Sequence, residues 1–311
     1  MEKKSLIYVA GHTGLVGSAL VRVLRQKGYE RILSRTREEL DLTVQKDVEV
    51  FFQREKPDYV FICAGKTGGI SANTNYPGEF IYRNAAIAVN LIFFSHLYNV
   101  KKLIYLGCSC MYPKFTPQPV KEEYLLAGAI EPTNRPYAVA KILGVELCLS
   151  YNRQYKTHFI PVIAGNIYGP GFSCHGEDAH VIPALIRKMN DAGKKKADKV
   201  SVWGSGKPER DFIYVDDIAD AAVFLMENRT GCEIINVGTG RGVSIARLAS
   251  DIKSITGFKG EIIYDKSKPD GIPSRVLDVT KLTKLGWKHS VGIERGLKLT
   301  WEWFKEKHGG C

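Results

Sequence analysis

The chain reads as an α/β protein: a doubly wound parallel sheet followed by a smaller C-terminal α/β domain. Three observations carry this reading. Short β-branched runs alternate with helix-period segments through the first half. Those runs are apolar throughout, as in strands covered on both faces. After Gly169-Pro170-Gly171 the alternation becomes less regular.

Ser5–Ala10 (SLIYVA) predicts a buried strand. Leu15, Val16, Ala19, Leu20, Val23 and Leu24 then keep a helical period that ends at Gly28. Arg31–Ser34 predicts a second strand. Thr43 is placed to cap a helix carrying Val44, Val48, Phe51 and Phe52 on one face, stopped before Pro57. Asp58–Gly65, Leu103–Gly107 and Phe159–Gly165 predict further buried strands, the last after a helix that begins near Pro136. In the second half, Val181–Met189, Asp216–Asn228 and a final segment to about Lys307 predict helices, and Ser244 caps another. Val200–Trp203, Asp211–Val215, Ile234–Val237 and Glu261–Tyr264 predict strands. The expected division is 1–168 and 169–311, with segments near 211–242 returning to the first unit.

With 311 residues, the chain is long enough to bury a full core and sits where one core begins to split into two. Hydrophobic residues at 44 % and charged residues at 25 % exclude general disorder. No apolar run reaches the ~18 residues of a membrane span. The longest, Ala85–Phe94, is interrupted by Asn90, so no membrane is expected. The N-terminus runs directly into a strand-like segment instead of a signal-peptide core. Cys63, Cys108, Cys110, Cys148, Cys174, Cys232 and Cys311 make an odd count with no Cys-x-x-Cys, which favours free thiols, a cytoplasmic setting and no metal site. The net charge of +11 (44 Lys+Arg against 33 Asp+Glu) suits nucleic acid, an anionic small molecule or nothing specific. Lys194-Lys195-Lys196 reads as a solvated loop, and no zinc-finger or RNA-binding signature points to nucleic acid.

The first strand–helix turn is Gly11-His12-Thr13-Gly14-Leu15-Val16-Gly17. Glycines there let the backbone approach a pyrophosphate, which the helix N-terminus then stabilises. This is a Rossmann-type dinucleotide loop in its proper context. Arg35 lies 35 − 17 = 18 residues beyond Gly17, where an acidic residue would select NAD. Arg35 and Arg37 suit a 2′-phosphate instead, so the cofactor expected is NADP(H).

Tyr137 and Lys141 are four apart, so they share a helix face just after Pro136. A free phenol, with a pKa of ~10, is a poor acid–base group near neutrality. A neighbouring ammonium is expected to lower that value. Behind a dinucleotide loop, such a pair points to carbonyl/alcohol redox chemistry.

On these residues and on further motifs, the chain resembles the extended short-chain dehydrogenase/reductases. The motifs are Arg35–Leu40 (RTREEL), Cys110–Lys114 (CMYPK), Glu131–Asn134 (EPTN), Pro136–Lys141 (PYAVAK), Glu146–Tyr155 (ELCLSYNRQY), Asn166–Pro170 (NIYGP), His180–Leu185 (HVIPAL), Trp203–Gly206 (WGSG), Arg210–Asp217 (RDFIYVDD) and Ser267–Gly271 (SKPDG). The resemblance is to those members that epimerise GDP-4-keto-6-deoxy-D-mannose at C3 and C5 and reduce it at C4 with NADPH. It implies Tyr137 and Lys141 for the hydride step, and Cys110 and His180 for the epimerisations. The C4 ketone acidifies the protons at C3 and C5, so a thiolate base and an imidazole acid make chemical sense. The resemblance adds Asp41, Leu42, Ala64, Gly65, Gly165, Asn166, Ile167 and His180 to the cofactor contacts. It also places Lys188, Trp203, Arg210 and Asp270 by the nucleotide diphosphate, with Trp203 equally readable as a core aromatic. It implies a homodimer through helices of the cofactor domain.

One departure stands out. Where the family reads Ser-Ser-Cys, this chain reads Cys108-Ser109-Cys110. Either Cys108 replaces the serine as a poorer hydrogen-bond donor, or Ser109 serves instead. Strand alternation would put residues 108 and 110 on one face and Ser109 on the other. A smaller departure is Thr13, where some members carry an arginine for the 2′-phosphate. The alternatives are another nucleotide-sugar 4-reductase or epimerase of the same fold, or an NADP-binding protein without turnover. A 4,6-dehydratase is disfavoured because positions 108–110 offer no Asp-Glu pair.

Overall fold

From β1 (Ile7–Ala10) the chain turns through the glycine loop into α1 (Leu15–Gln26) and returns to β2 (Ile32–Leu33). It crosses by α2 (Gln45–Glu55) to β3 (Tyr59–Ile62). It continues through α3 (Ile70–Asn75) and α4 (Pro77–Leu97) to β4 (Lys102–Cys108), then by α5 (Arg135–Tyr155) to β5 (Phe159–Ala164). The second half carries β6 (Asn166–Tyr168), α6 (Val181–Lys194), β7 (Lys199–Trp203), β8 (Glu209–Tyr214), α7 (Val215–Asn228) and β9 (Ile235–Val237). It closes with β10 (Gly242–Ser244), α8 (Ile245–Thr256), β11 (Glu261–Asp265), β12 (Ser274–Arg275), α9 (Thr280–Lys284) and α10 (Ile293–His308). These elements come from a computed structural model that describes residues 1–172, 180–229, 231–268 and 270–308. Cys174 and Cys311 lie outside those residues.

Six parallel strands form the larger sheet in the order β2-β1-β3-β4-β5-β9. Alternate side chains feed two cores. Ile7, Val9, Phe61, Ile104 and Val162 pack under α1 and α7. Tyr8, Ala10, Val60, Ile62 and Leu103 pack under α2, α4 and α5. The chain leaves β1 toward β2 and comes back past it to β3, so the winding reverses between β1 and β3. Ligands of open α/β sheets bind at the carboxyl ends of strands at such a reversal.

The smaller unit has its own core, built around Tyr168, Leu185, Ile186, Val202, Phe212, Leu248 and Phe304. Its sheets are β10-β8-β12 with β6 on β8, and the pair β11-β7. β6 pairs with β8 from Asn166 onward, so the crossing into this unit comes before residue 168. Of the stretch near 211–242, only α7 and β9 rejoin the large sheet: α7 covers α1 and β9 pairs with β5. β8 remains in the smaller sheet because its partners β6, β10 and β12 lie there.

Two local expectations change and one holds. Thr43 does not cap α2. Val44 occupies that position, and the Thr43 hydroxyl donates to Asp41 Oδ1 at 2.7 Å. A nearby carboxylate is a stronger acceptor than a neutral partner, so the hydroxyl goes there. The apolar run Ala85–Phe94 lies inside α4, whose 21 residues pass a membrane-span test by length and composition. Half of that stretch is buried, α4 packs against α5 and α2, and Asn90 Nδ2 donates to the Leu42 carbonyl. Ser244 does cap α8, accepting from Arg247 N at 3.2 Å.

Candidate active site

The glycine loop is shaped for close approach. Gly11 has φ +83°, and a Cβ there would stand 2.7 Å from the Ala64 backbone. A Cβ on Gly17 would run into the Gly11 carbonyl, so helix and strand meet only because residue 17 has no side chain. Gly14 is the N-cap of α1, and no side chain caps the helix. The first turn therefore has unsatisfied N–H groups and the positive end of the helix dipole, as a pyrophosphate requires. His12 Nδ1 is buried without a hydrogen-bond partner beside this turn, while Thr13 is exposed. Leu15 and Val16 are half-buried at the base of the loop. Ala64 and Gly65 follow β3 on the other side of the β1/β3 reversal.

The end of β2 is cationic. Arg35 Nη2 pairs with Glu55 at 2.9 Å, and Arg37 Nε lies 3.6 Å from Asp41. Both guanidiniums keep donors to spare, and no carboxylate replaces them at the position that reads the ribose. Asp41 accepts from Thr43, which with the nearby Arg37 holds its pKa low against burial. Leu42 contributes its carbonyl to Asn90. Gly165 follows β5 and donates to Val237, Asn166 Nδ2 reaches the Asp211 carbonyl, and Ile167 is half-buried in β6. The cradle and the arginines have the shape and the charge that a phosphorylated dinucleotide needs.

At the carboxyl end of β4 the chain leaves the extended conformation. Ser109–Met111 forms one 3₁₀ turn. This turn, and not strand alternation, brings the Cys108 and Cys110 sulfurs to 2.8 Å, while Ser109 is buried. Burial is not the main influence on Cys108. A hydrogen bond from Cys110 lowers its pKa, with help from Lys141 and the Tyr137 hydroxyl. The hydrogen bond to Cys108, burial and the Cys108 charge push Cys110 up, against Arg275 and Lys141. Of the two sulfurs, Cys108 is therefore the one whose surroundings favour negative charge, and Cys110 the one whose surroundings favour the proton.

α5 brings Tyr137 and Lys141 to the same place. Tyr137 packs edge-on to Phe80 and stands near enough to Cys108 for each to shift the other's ionisation. Lys141 is 5 % exposed; its Nζ donates to the Leu106 carbonyl at 2.9 Å and lies over the Tyr105 ring. The expected depression of the phenol is not what the structure shows. Burial, followed by the charges of Cys108 and Cys110, raises the Tyr137 pKa well above 10. Burial in turn lowers that of Lys141. The ammonium is committed to a backbone carbonyl, and any negative charge on the neighbouring sulfurs opposes a phenolate.

His180 is the N-cap residue of α6. Partial desolvation holds its imidazole below the ordinary histidine value. Among the described residues no hydrogen bond joins it to the sulfurs. Lys188 Nζ donates to the Ser201 carbonyl and lies 5.9 Å from the centre of the Trp203 ring, while Lys268 lies 5.6 Å from it. Trp203 is 62 % exposed, so it is a surface platform and not a core aromatic. Arg210 donates to the carbonyls of Glu209 and Ile272. Asp270 spends both oxygens on Ser205, at 2.5 Å to the amide and 2.8 Å to the hydroxyl. It therefore holds the Gly204–Gly206 turn that follows Trp203.

Several side chains that shape the site have no motif to announce them. Asn84 donates to the carbonyls of Lys66 and Phe80, and its buried Oδ1 has no partner. A Cβ at Gly65 would stand 2.6 Å from that oxygen and 3.7 Å from Lys141 Nζ. Half-buried Cys63, its pKa pushed up to about 12 by desolvation, stands near enough for the Lys141 charge to act on it. Asp211 accepts from Thr239 N, Gly240 N and the Thr239 hydroxyl, tying β8 to the loop after β9. Arg275 is buried in β12, next to the sulfur pair.

A glycine cradle at a β1/β3 reversal, with a Tyr/Lys pair on the adjoining helix, defines a dinucleotide-dependent enzyme acting on a carbonyl or alcohol. The chain belongs to the NAD dependent epimerase/dehydratase family, whose model matches residues 7–238. It is 46 % identical to the GDP-L-fucose synthase of Escherichia coli K12, over 97 % of each chain. Among solved structures it is similar to a GDP-6-OMe-4-keto-L-xylo-heptose reductase from Campylobacter jejuni. That match has TM-score 0.94 and 37 % identity, and covers 99 % of both chains. It is also similar to a GDP-L-fucose synthetase from Naegleria fowleri bound to NADP, with TM-score 0.93 and 28 % identity over 99 % of this chain and 95 % of that one.

Proposed function

We propose that this chain converts GDP-4-keto-6-deoxy-D-mannose to GDP-L-fucose, epimerising C3 and C5 before reducing C4 with NADPH. The observation that carries the reading is the sulfur pair of Cys108 and Cys110 within one cluster with Tyr137 and Lys141, beside the glycine cradle. A plain reductase has no use for a base next to its phenol.

In this reading Cys110, once ionised, removes the proton from the carbon beside the ketone. His180 returns a proton from the other face of the ring, which inverts the centre. Tyr137 hydrogen-bonds the enolate oxygen and then protonates O4. NADPH supplies the hydride that C4 receives. Lys141 fixes the phenol's surroundings through its bond to Leu106. Trp203 and Lys188 receive the guanosine diphosphate, Arg210 supplies charge to the pyrophosphate, and Asp270 keeps the Trp203 turn in place.

The soluble enzyme acts as a homodimer. Ile81, Tyr82, Val89, Phe93 and Leu97 of α4 are exposed, as are Val139, Leu143 and Tyr155 of α5, and this apolar area suits a second copy. Light scattering coupled to gel filtration tests the mass. The free thiols Cys63, Cys108, Cys110, Cys148 and Cys232 suit a reducing cytoplasm.

The direct test is incubation with GDP-4-keto-6-deoxy-D-mannose and NADPH. Reduced nicotinamide is followed by absorbance and the product by NMR. L-fucose stereochemistry supports the reading. A 4-reduced product with C3 and C5 unchanged supports a second one, a simple reductase, which the likeness to the Campylobacter reductase favours. No oxidation of NADPH by any 4-keto sugar nucleotide removes both.

A further inference from the structure

We propose that Arg275 is the counter-ion that draws the negative charge of the Cys108/Cys110 pair onto Cys110, making it the positioning residue of the epimerisation. This rests on the functional reading above and deepens it.

Arg275 sits on β12, in register with Arg210 of β8. It is 3 % exposed. One guanidinium nitrogen, Nη2, donates to the Pro113 carbonyl at 2.9 Å, just beyond the 3₁₀ turn that contains Cys110. The other two nitrogens, Nε and Nη1, are buried without a hydrogen-bond partner. A buried cation is costly unless an anion faces it. The ionisable groups that act on Arg275 are Cys110, Arg210, Tyr112 and Cys108. Arg210 repels it. Tyr112 donates its hydroxyl to Asn236 at 2.6 Å, and burial pushes its pKa far up, so it stays neutral. Of the groups that act most on Arg275, the sulfurs are those able to supply the missing charge, and among the described residues no carboxylate pairs with this guanidinium.

The sulfur side shows the same need. Cys108 of β4 faces Lys141 and Tyr137 of α5, both of which favour charge on Cys108. Cys110 faces Cys108, Lys141 and Arg275. Arg275 therefore acts against the Cys108 hydrogen bond, the burial and the Cys108 charge that favour a proton on Cys110. A base at position 110 needs that proton gone when the sugar arrives. Burial and the neighbouring Arg210 lower the pKa of Arg275 itself, yet a guanidinium remains charged throughout the working pH range.

The test compares the wild-type full chain with R275M, R275Q and R275K. Iodoacetamide alkylation of Cys110 is measured against pH, with the modified sulfur assigned by peptide mass spectrometry. The proposal expects R275M and R275Q to cut the Cys110 rate at pH 7.5 at least tenfold and to move its profile to higher pH, with R275K restoring most of it. With GDP-4-keto-6-deoxy-D-mannose in D2O and no NADPH, deuterium entry at C3 and C5 falls in parallel while the KM for the sugar nucleotide stays put. An unchanged alkylation profile overturns the proposal. So does a tenfold rise in KM with the profile unchanged, which would assign Arg275 to the substrate's phosphates. If R275M fails to fold, the comparison of R275Q with R275K decides. If the wild-type chain does not turn over this sugar at all, the functional reading fails, and the alkylation profiles still judge Arg275 by themselves.

Discussion

Replacing Cys108 with serine removes the sulfur that shares a hydrogen bond with Cys110. The two sulfurs are 2.8 Å apart. At an effective dielectric of about 20, two unit charges at that separation repel by about 6 kcal/mol, roughly four powers of ten in an ionisation constant. Double ionisation of the pair is therefore strongly disfavoured, and Cys108 is the sulfur whose surroundings favour charge. Serine stays neutral. That change releases Cys110 to ionise alone, and it lifts from Tyr137 the nearest sulfur charge that keeps its phenol raised. A hydroxyl is also a better hydrogen-bond donor to the ketone oxygen than a thiol. A gain of about 1 kcal/mol there is worth about fivefold in rate. The expected result is that C108S reduces the sugar nucleotide as fast as the parent or up to about fivefold faster, with the Tyr137-dependent limb of the pH profile moved to lower pH. Stopped-flow loss of NADPH absorbance measures it. A fall of more than tenfold in a variant that still binds NADPH would show that the sulfur at 108 is itself required.

Changing Arg35 and Arg37 together to alanine should raise the KM for NADPH by about tenfold or more and leave that for NADH nearly unchanged, since each charged hydrogen bond is worth about 1.5–3 kcal/mol; steady-state kinetics with both cofactors checks it. Asp270→Ala frees Ser205 and loosens the turn behind Trp203, so the KM for the sugar nucleotide should rise several-fold with kcat nearly intact. For Asp58, burial works upward, but hydrogen bonds from Lys101 and the Leu6 amide, with the charges of Lys101 and Arg31, bring its pKa below the ordinary value. Because the folded value is the lower one, its stabilisation is complete above about pH 4. It is lost as pH falls through the folded value. Asp58→Asn should therefore lower the urea midpoint at pH 7, with the difference from wild type shrinking as pH falls below about 4.

Legibility follows locality. The strand of β1, the glycine turn and α1 are encoded within some twenty consecutive residues, because a turn of that kind admits only residues without a Cβ. Tyr137 and Lys141 are four apart on one helix, so their common face follows from helical pitch alone. The cationic end of β2 is likewise a matter of which residues follow a strand. These features were written in the sequence. The contact of the Cys108 and Cys110 sulfurs needed a 3₁₀ turn that no nearby residue signals. The upward shift of the Tyr137 phenol needed burial and a charge from another element. Arg275 lies 165 residues from Cys110 in the chain (275 − 110), and only the pairing of β12 with β8 delivers it there. The aim of Asn84 toward Gly65 and Lys141 arises in the same way. Backbone geometry and short-range spacing are properties of neighbours, so sequence determines them directly. Electrostatics and burial are sums over groups distant in the chain, and only the folded packing decides which groups those are.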